Sequence, residues 1–176
     1  LLSGNMDIEV SHGKLQLVSG SRESGLKKYR VRFPHPMDEF TIKYNGTVSH
    51  NGITYMSGMP SAYLDHDGVY LDNASAWYPD FRQPISEFVL NVTAPSDWEV
   101  ISQGRRETLR ASTRWTSNKP QWEIYLVGGR FKRFARNHGN MELSVYLLDD
   151  EPMLAERYLA VMGAQVDTYS SLFGAY

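Results

Sequence analysis

Apolar and polar residues alternate in short runs over most of this chain. Met6-Asp-Ile-Glu-Val10 and Lys14-Leu-Gln-Leu-Val18 alternate on either side of a His-Gly turn. Residues 26–33 interleave charges with Tyr29, Val31 and Phe33. Pro34-His-Pro36 then ends the run, because proline has no N–H to give a ladder. A period of two puts successive side chains on opposite faces of a half-buried sheet. The same pattern predicts strands over 39–48, 69–71, 86–93, 98–102, 106–115, 121–127, 130–137 and 141–148. His138-Gly-Asn140 is read as the hairpin joining the last two, and Gly128-Gly129 as a bend. Residues 49–68, rich in Gly, Ser, Pro, His and Asp, are predicted to be the longest irregular stretch.

The period changes after residue 149. Asp150 suits an N-cap, Glu151 and Pro152 suit a first helical turn, and Gly174 suits a stop. Leu154, Tyr158, Val161, Val166, Tyr169 and Phe173 recur at helical spacing. They predict one amphipathic helix of roughly 20 residues whose apolar face must cover something. It either packs on its own sheets or is the first helix of a following domain. In the second case it leaves an adhesive patch and a route to self-association. Many strands followed by one helix predict a mainly β fold, an antiparallel β-sandwich with one C-terminal α-helix.

Composition narrows the classes. A length of 176 residues suits one domain able to bury its own core. The net charge of −2 gives no electrostatic reason to expect nucleic acid or an anionic membrane as partner. With no cysteine, disulfides and thiolate metal sites are excluded. The chain opens on Leu1 without an initiator Met, which is read as the start of an excised piece.

Zinc peptidase chemistry needs two histidines one turn apart on a helix with a glutamate beside them. The histidines here, at 12, 35, 50, 66 and 138, have no such spacing and are read as turn residues. Asp65-His66-Asp67, with Asp72 nearby, could offer oxygens to a hard cation. It lacks the glycine and final glutamate of a calcium loop and is read as a solvated loop. There is no G-x-S-x-G elbow, and nothing points to a triad built from loop histidines. Arg130, Lys132, Arg133 and Arg136, interleaved with Phe131 and Phe134, read as the charged face of a half-exposed sheet. Trp77, Tyr78, Trp98, Trp115 and Trp122 keep a second class open, a stand-alone β-sandwich module that binds carbohydrate or protein.

Residues 68–104 follow a recognisable order. A short strand leads to a Trp77-Tyr-Pro79 corner, then to a strand alternating Phe88, Leu90 and Val92. A Pro95-Ser-Asp-Trp98 turn, a Val100-Ile101 strand and a closing Gly104 follow. Together with Trp122-Glu-Ile-Tyr-Leu-Val-Gly-Gly-Arg-Phe131, this resembles the amino-terminal β domain of the aminopeptidase N family of zinc metallopeptidases, the gluzincin aminopeptidases. The resemblance covers most of the chain, best from residue 68 onward. It implies a saddle-like β-sandwich over 1–149, with 150–176 as the start of a truncated catalytic domain. The family's G-x-M-E-N and H-E-x-x-H motifs and its distant glutamate ligand would come later. The chain itself would therefore carry no catalytic residue, no metal ligand and no cofactor, with zinc in the parent's catalytic domain. Its partners would be that downstream domain and the parent's peptide substrate. The loops 49–68 and 71–83 would reach the amine end of the peptide, with Asp72 and Asn73 as the nearest polar candidates. The stretch 70–79 lacks the Cys that follows the corresponding motif in better-known members, which places the resemblance in a divergent bacterial branch. The parent would be cytoplasmic or membrane-associated. The expected function is a non-catalytic domain that supports the catalytic domain and caps its peptide cleft.

Overall fold

A computed structural model of the chain describes residues 2–3, 6–20, 25–48, 62–81 and 87–174. Its strands, in chain order, are β1 (Leu2–Ser3), β2 (Met6–Val10), β3 (Lys14–Gly20), β4 (Leu26–Arg32), β5 (Ile42–Gly46), β6 (Ala62–Leu64) and β7 (Gly68–Leu71). They continue as β8 (Phe88–Val92), β9 (Glu99–Ile101), β10 (Arg105–Thr108), β11 (Thr113–Ser117), β12 (Leu126–Gly129), β13 (Lys132–His138) and β14 (Met141–Leu147). One helix, α1 (Pro152–Phe173), follows. The mainly β antiparallel fold with a single C-terminal helix, predicted from the alternation, is present.

The chain divides into two compact units. The first takes residues 1–93 and 100–128, and the second 94–99 and 129–176. The first unit holds the sheets β1-β4-β3, β2-β5, β10-β11-β8 and β6-β7-β12-β9. Its core includes Leu2, Met6, Val69, Leu71, Val100, Trp115 and Leu126. In β8 the alternation holds, with Phe88, Leu90 and Val92 turned inward and Val89 and Asn91 outward. Three expectations are corrected here. The predicted strand over 106–115 is a hairpin, β10 and β11, closed where Leu109 N–H donates to Ser112 O at 2.8 Å. Gly128 and Gly129 lie inside β12 and are not the bend expected between it and β13, and Cβ-less Gly68 lets β7 approach the Gly128 carbonyl. The predicted strand over 121–127 is irregular up to Tyr125, and only Leu126–Gly129 joins a ladder. Within the stretch 49–68, residues 62–64 form β6, and 49–61 lie outside the described residues.

The second unit is built on the β13–β14 hairpin, paired from Lys132↔Leu147 to His138↔Met141. The turn is Gly139-Asn140, with Gly139 at φ 60, and His138 belongs to the strand. One face of the hairpin carries Phe134, Arg136, His138 and Leu143, and α1 packs against it. Arg136 pairs with Glu156, and His138 Nε2 lies 2.7 Å from Asp167 Oδ1.

Pro152 occupies the first turn of α1, where its missing N–H costs nothing. Glu151 is the N-cap, without a side-chain cap bond, so the Asp150 cap expected from sequence is displaced by one residue. Gly174, at φ 95, ends the helix and donates its N–H to Ser170 O. The buried face also differs from expectation. It is Ala155, Leu159 and Gly163, a stripe of mostly small residues at four-residue spacing. Tyr158, Val161, Tyr169 and Phe173, whose face the sequence left either to pack on the chain's own sheets or to stay open as an adhesive patch, are exposed. Small side chains win the contact because they let the helix backbone settle close to the hairpin. A Cβ on Gly163 would sit 3.1 Å from His138 Nδ1.

Candidate functional site

Asp72 and Asn73 open a single 3-10 turn, Asn73–Ser75, after β7. Asp72 is 3% exposed. Its Oδ1 accepts Ser75 N–H at 3.2 Å, and its carbonyl accepts the Ser75 hydroxyl at 2.6 Å. These bonds satisfy donors that a helix start otherwise leaves open. The turn ends at Ala76, held in the left-handed region at φ 48. That reversal aims the Trp77-Tyr78-Pro79 corner at the irregular segment before β12. Asn73 Oδ1 accepts the Tyr78 hydroxyl at 3.1 Å. The same hydroxyl oxygen accepts Ile124 N–H at 3.1 Å. Trp77 Nε1 donates to Ile124 O at 3.2 Å, and its ring meets Tyr78 edge to face.

A second pair of side chains reaches the same segment from the residues after β9. The Ser102 hydroxyl donates to Tyr125 O at 2.7 Å. Gln103 Nε2 donates to Glu123 O at 2.9 Å, and its Oε1 accepts Tyr125 N–H at 3.1 Å. Backbone groups without a ladder still need partners. At residues 123–125 side chains supply them, from positions 20 to 47 residues away in the chain.

The electrostatics around this clamp are acidic. Burial pushes the Tyr78 phenol up from its ordinary value, and the charges of Asp80, Glu123 and Asp72 push the same way. Burial also raises Tyr70, with Asp72 and Glu123 adding to it, and raises Tyr125, with Glu123 adding to it. Carboxylates disfavour a second negative charge beside them.

Asp65, His66 and Asp67 form the turn between β6 and β7, all exposed, with one ligand atom each within 4.8 Å of the others. Asp65 is already engaged as the hairpin's own acceptor. Its Oδ1 takes Asp67 N–H at 2.7 Å and Gly68 N–H at 3.2 Å. The Tyr63 hydroxyl donates to the same carboxylate, which lowers Asp65 and pushes the phenol up to about 12. Of the other histidines, His12 is a turn residue at φ 58, and His50 lies outside the described residues. In the basic run, Arg130 meets Asp97 at 2.7 Å, and Arg133 and Arg136 pair with Glu142 and Glu156.

The aromatic candidates separate by burial. Trp115 is core, and Trp77 and Tyr78 are engaged in the clamp. Trp122 is 84% exposed. Sequence reading singled out Asp72, Asn73, Trp77 and Tyr78 but passed over Ser102 and Gln103. Their only signal is a pair of polar residues between β9 and the Gly104 turn.

No protein-family model matches this chain, and no curated protein matches it. Among the described residues, no helix is long and apolar enough to cross a membrane.

Proposed function

We propose that this chain is a non-catalytic β domain of a zinc aminopeptidase-like protein, which supports a catalytic domain and caps one side of its peptide cleft. On this reading residues 1–149 form the β domain and 150–176 begin the next, with zinc held beyond the chain. The observation that carries it is the clamp around Tyr78. The two stretches that bear the resemblance bond to each other there, through Trp77, Tyr78 and Gln103 on one side and residues 123–125 on the other. Asp72, Asp80 and Glu123 lie near enough to Tyr78 to add to the rise that burial gives its phenol. Asp72 and Asn73 act within this reading by fixing the turn. The uncovered apolar face of α1, with Tyr158, Val161 and Tyr169, suits burial by a following domain or by a second copy.

The test is the reading frame beyond the codon for Tyr176, together with an aminoacyl reporter assay. The frame is expected to encode G-x-M-E-N, then H-E-x-x-H and a later glutamate. The longer protein is expected to hydrolyse the reporter with zinc, and the 176-residue chain to leave it intact. A frame that runs on without those motifs, or zinc-dependent hydrolysis by this chain alone, overturns the proposal.

A second reading, a carbohydrate-binding module, is favoured by one observation, the exposed indole of Trp122. Saturable binding to a glycan panel, lost in a folded Trp122→Ala variant, would select it.

A further inference from the structure

Ile8 of β2 and Ile42 of β5 line one cavity of about 250 Å³ together with Leu2 of β1, Leu15 of β3 and Tyr29 and Val31 of β4. Leu2 is buried and the other five are half-buried. They belong to two separate sheets, β2-β5 and β1-β4-β3. Apolar side chains from neighbouring elements normally pack to the density of an organic crystal. Here they leave a space, and walls of this kind give water few partners. Apolar cavities of about 150 Å³ hold a molecule the size of benzene, and drug-sized pockets begin near roughly 300 Å³. The volume here suits one substituted ring.

The charged residues of these strands are turned elsewhere. Alternation puts Lys28 on the face of β4 opposite Tyr29 and Val31. It puts Asp7, Glu9 and Lys43 on the faces of β2 and β5 opposite Ile8 and Ile42. All four are exposed. Asp80 also borders the cavity and is already engaged within the protein. A charged ligand would give up its hydration here with no partner to replace it.

Aromatic rings complete the border. Phe81 adjoins the cavity and is 64% exposed. Its ring meets Phe40 edge to face with centroids 6.3 Å apart, and Phe40 meets Phe33 at 5.0 Å. Tyr29 brings a further ring from β4. A guest ring can add to these contacts through the edge-to-face and offset geometries that aromatic pairs prefer.

We infer that this cavity binds a small uncharged aromatic molecule, one ring in size.

The test is a titration of the full chain, labelled at its Ile δ1 methyls, with phenol at neutral pH, and in parallel with cyclohexanol and with sodium benzoate. Phenol is expected to shift the Ile8 and Ile42 methyls saturably and to leave Ile101 and Ile124 unmoved. Benzoate is expected to bind at least about tenfold more weakly, because its carboxylate would be buried unpaired. Cyclohexanol is expected to bind about threefold more weakly than phenol, the order of one aromatic pair. Phe81→Ala lies at an exposed position, is expected to fold, and should remove most of that preference. Leu15→Trp, which puts an indole into the space, is expected to abolish all the shifts. Static Ile8 and Ile42 methyls, or phenol shifts that persist in a folded Leu15→Trp variant, overturn the site. Benzoate binding as tightly as phenol overturns the uncharged class, and cyclohexanol doing so overturns the aromatic one. If Leu15→Trp fails to fold, the methyl map and the Phe81→Ala comparison decide the matter.

Discussion

Residues 123–125 and the β13–β14 hairpin are both half-buried backbone, and they are held by opposite means. The hairpin satisfies itself, with seven successive cross-strand pairs closed by a two-residue turn. The 123–125 segment relies on Trp77, Tyr78, Ser102 and Gln103, which reach it from two other parts of the chain. In the hairpin each bond is one of many equivalent bonds, so losing one side chain changes little. In the clamp each side chain is the sole partner of a particular N–H or C=O, so its loss strands a polar group. Loss of a single side chain is therefore expected to cost more in the clamp than in the hairpin.

Breaking the clamp at its turn has the largest expected effect. Gly104 sits at φ +93, and a Cβ there would lie 2.2 Å from Thr116 O. Gly104→Ala is expected to cost about 4 kcal/mol, from backbone strain and a clash with main chain that cannot move aside. Urea denaturation measures it, and a loss under about 1 kcal/mol would show that the turn is softer than its geometry implies.

Tyr78→Phe removes a hydroxyl that donates to Asn73 and accepts from Ile124. The expected loss is about 2 kcal/mol, because Ile124 N–H is left without its partner. Gln103→Ala is expected to cost about 1 to 2 kcal/mol, and the pair to couple by about 1 kcal/mol because both grip one segment. Strict additivity in the double-mutant cycle would mean that residues 123–125 do not act as a unit. By contrast, Lys132→Ala in the hairpin is expected to change stability by less than about 0.5 kcal/mol.

The helix and hairpin contact gives a smaller, sign-dependent effect. Alanine is favoured over glycine in a helix by about 1 kcal/mol, but a methyl at Gly163 presses on the His138 ring. Gly163→Ala alone is expected to be near neutral. In a His138→Ala background it is expected to stabilise by about 1 kcal/mol. Thermal melts of the four proteins give the answer. Equal effects in both backgrounds would show that the ring is free to move away.

The smallest effect is electrostatic. Arg130 holds the Asp97 carboxyl below its usual range, chiefly through a hydrogen bond. A depressed folded pKa contributes stability above the ordinary carboxylate value, and that contribution is lost as pH falls through the lowered one. Asp97→Asn is expected to flatten the acid limb of the stability profile slightly and to leave neutral pH almost unchanged, since the pair is exposed. Denaturation curves across the acid range test this. An acid limb of unchanged slope would remove Asp97 from the account.

Much of the scaffold is legible in the residues alone. Alternation at Phe88, Leu90 and Val92 marks β8, and the run from Lys132 to Leu147 with a Gly-Asn turn marks the hairpin. Pro152 and Gly174 bracket α1. These are local signals, carried by a period of two or 3.6 and by residues with restricted or permissive backbones. The places where local reading went astray share one cause. Residues 122–125 have strand-like composition, yet no neighbouring strand takes up their backbone groups. The bulky side of α1 has the stronger helical pattern, yet the hairpin accepts the smaller Ala155, Leu159 and Gly163.

The sequence by itself determined the class of fold, the helix limits to within a residue and the corner at Trp77-Tyr78-Pro79. It also raised Asp72 and Asn73 as polar candidates. Only the tertiary structure decided that Asp72 caps a turn, that Asn73 steadies Tyr78, and that Ser102 and Gln103 complete a clamp on residues 123–125. A backbone period can be read along the chain because it depends on nearest neighbours. A hydrogen bond between residues 46 or 47 apart depends on where the fold brings two segments together, and no local pattern carries that information.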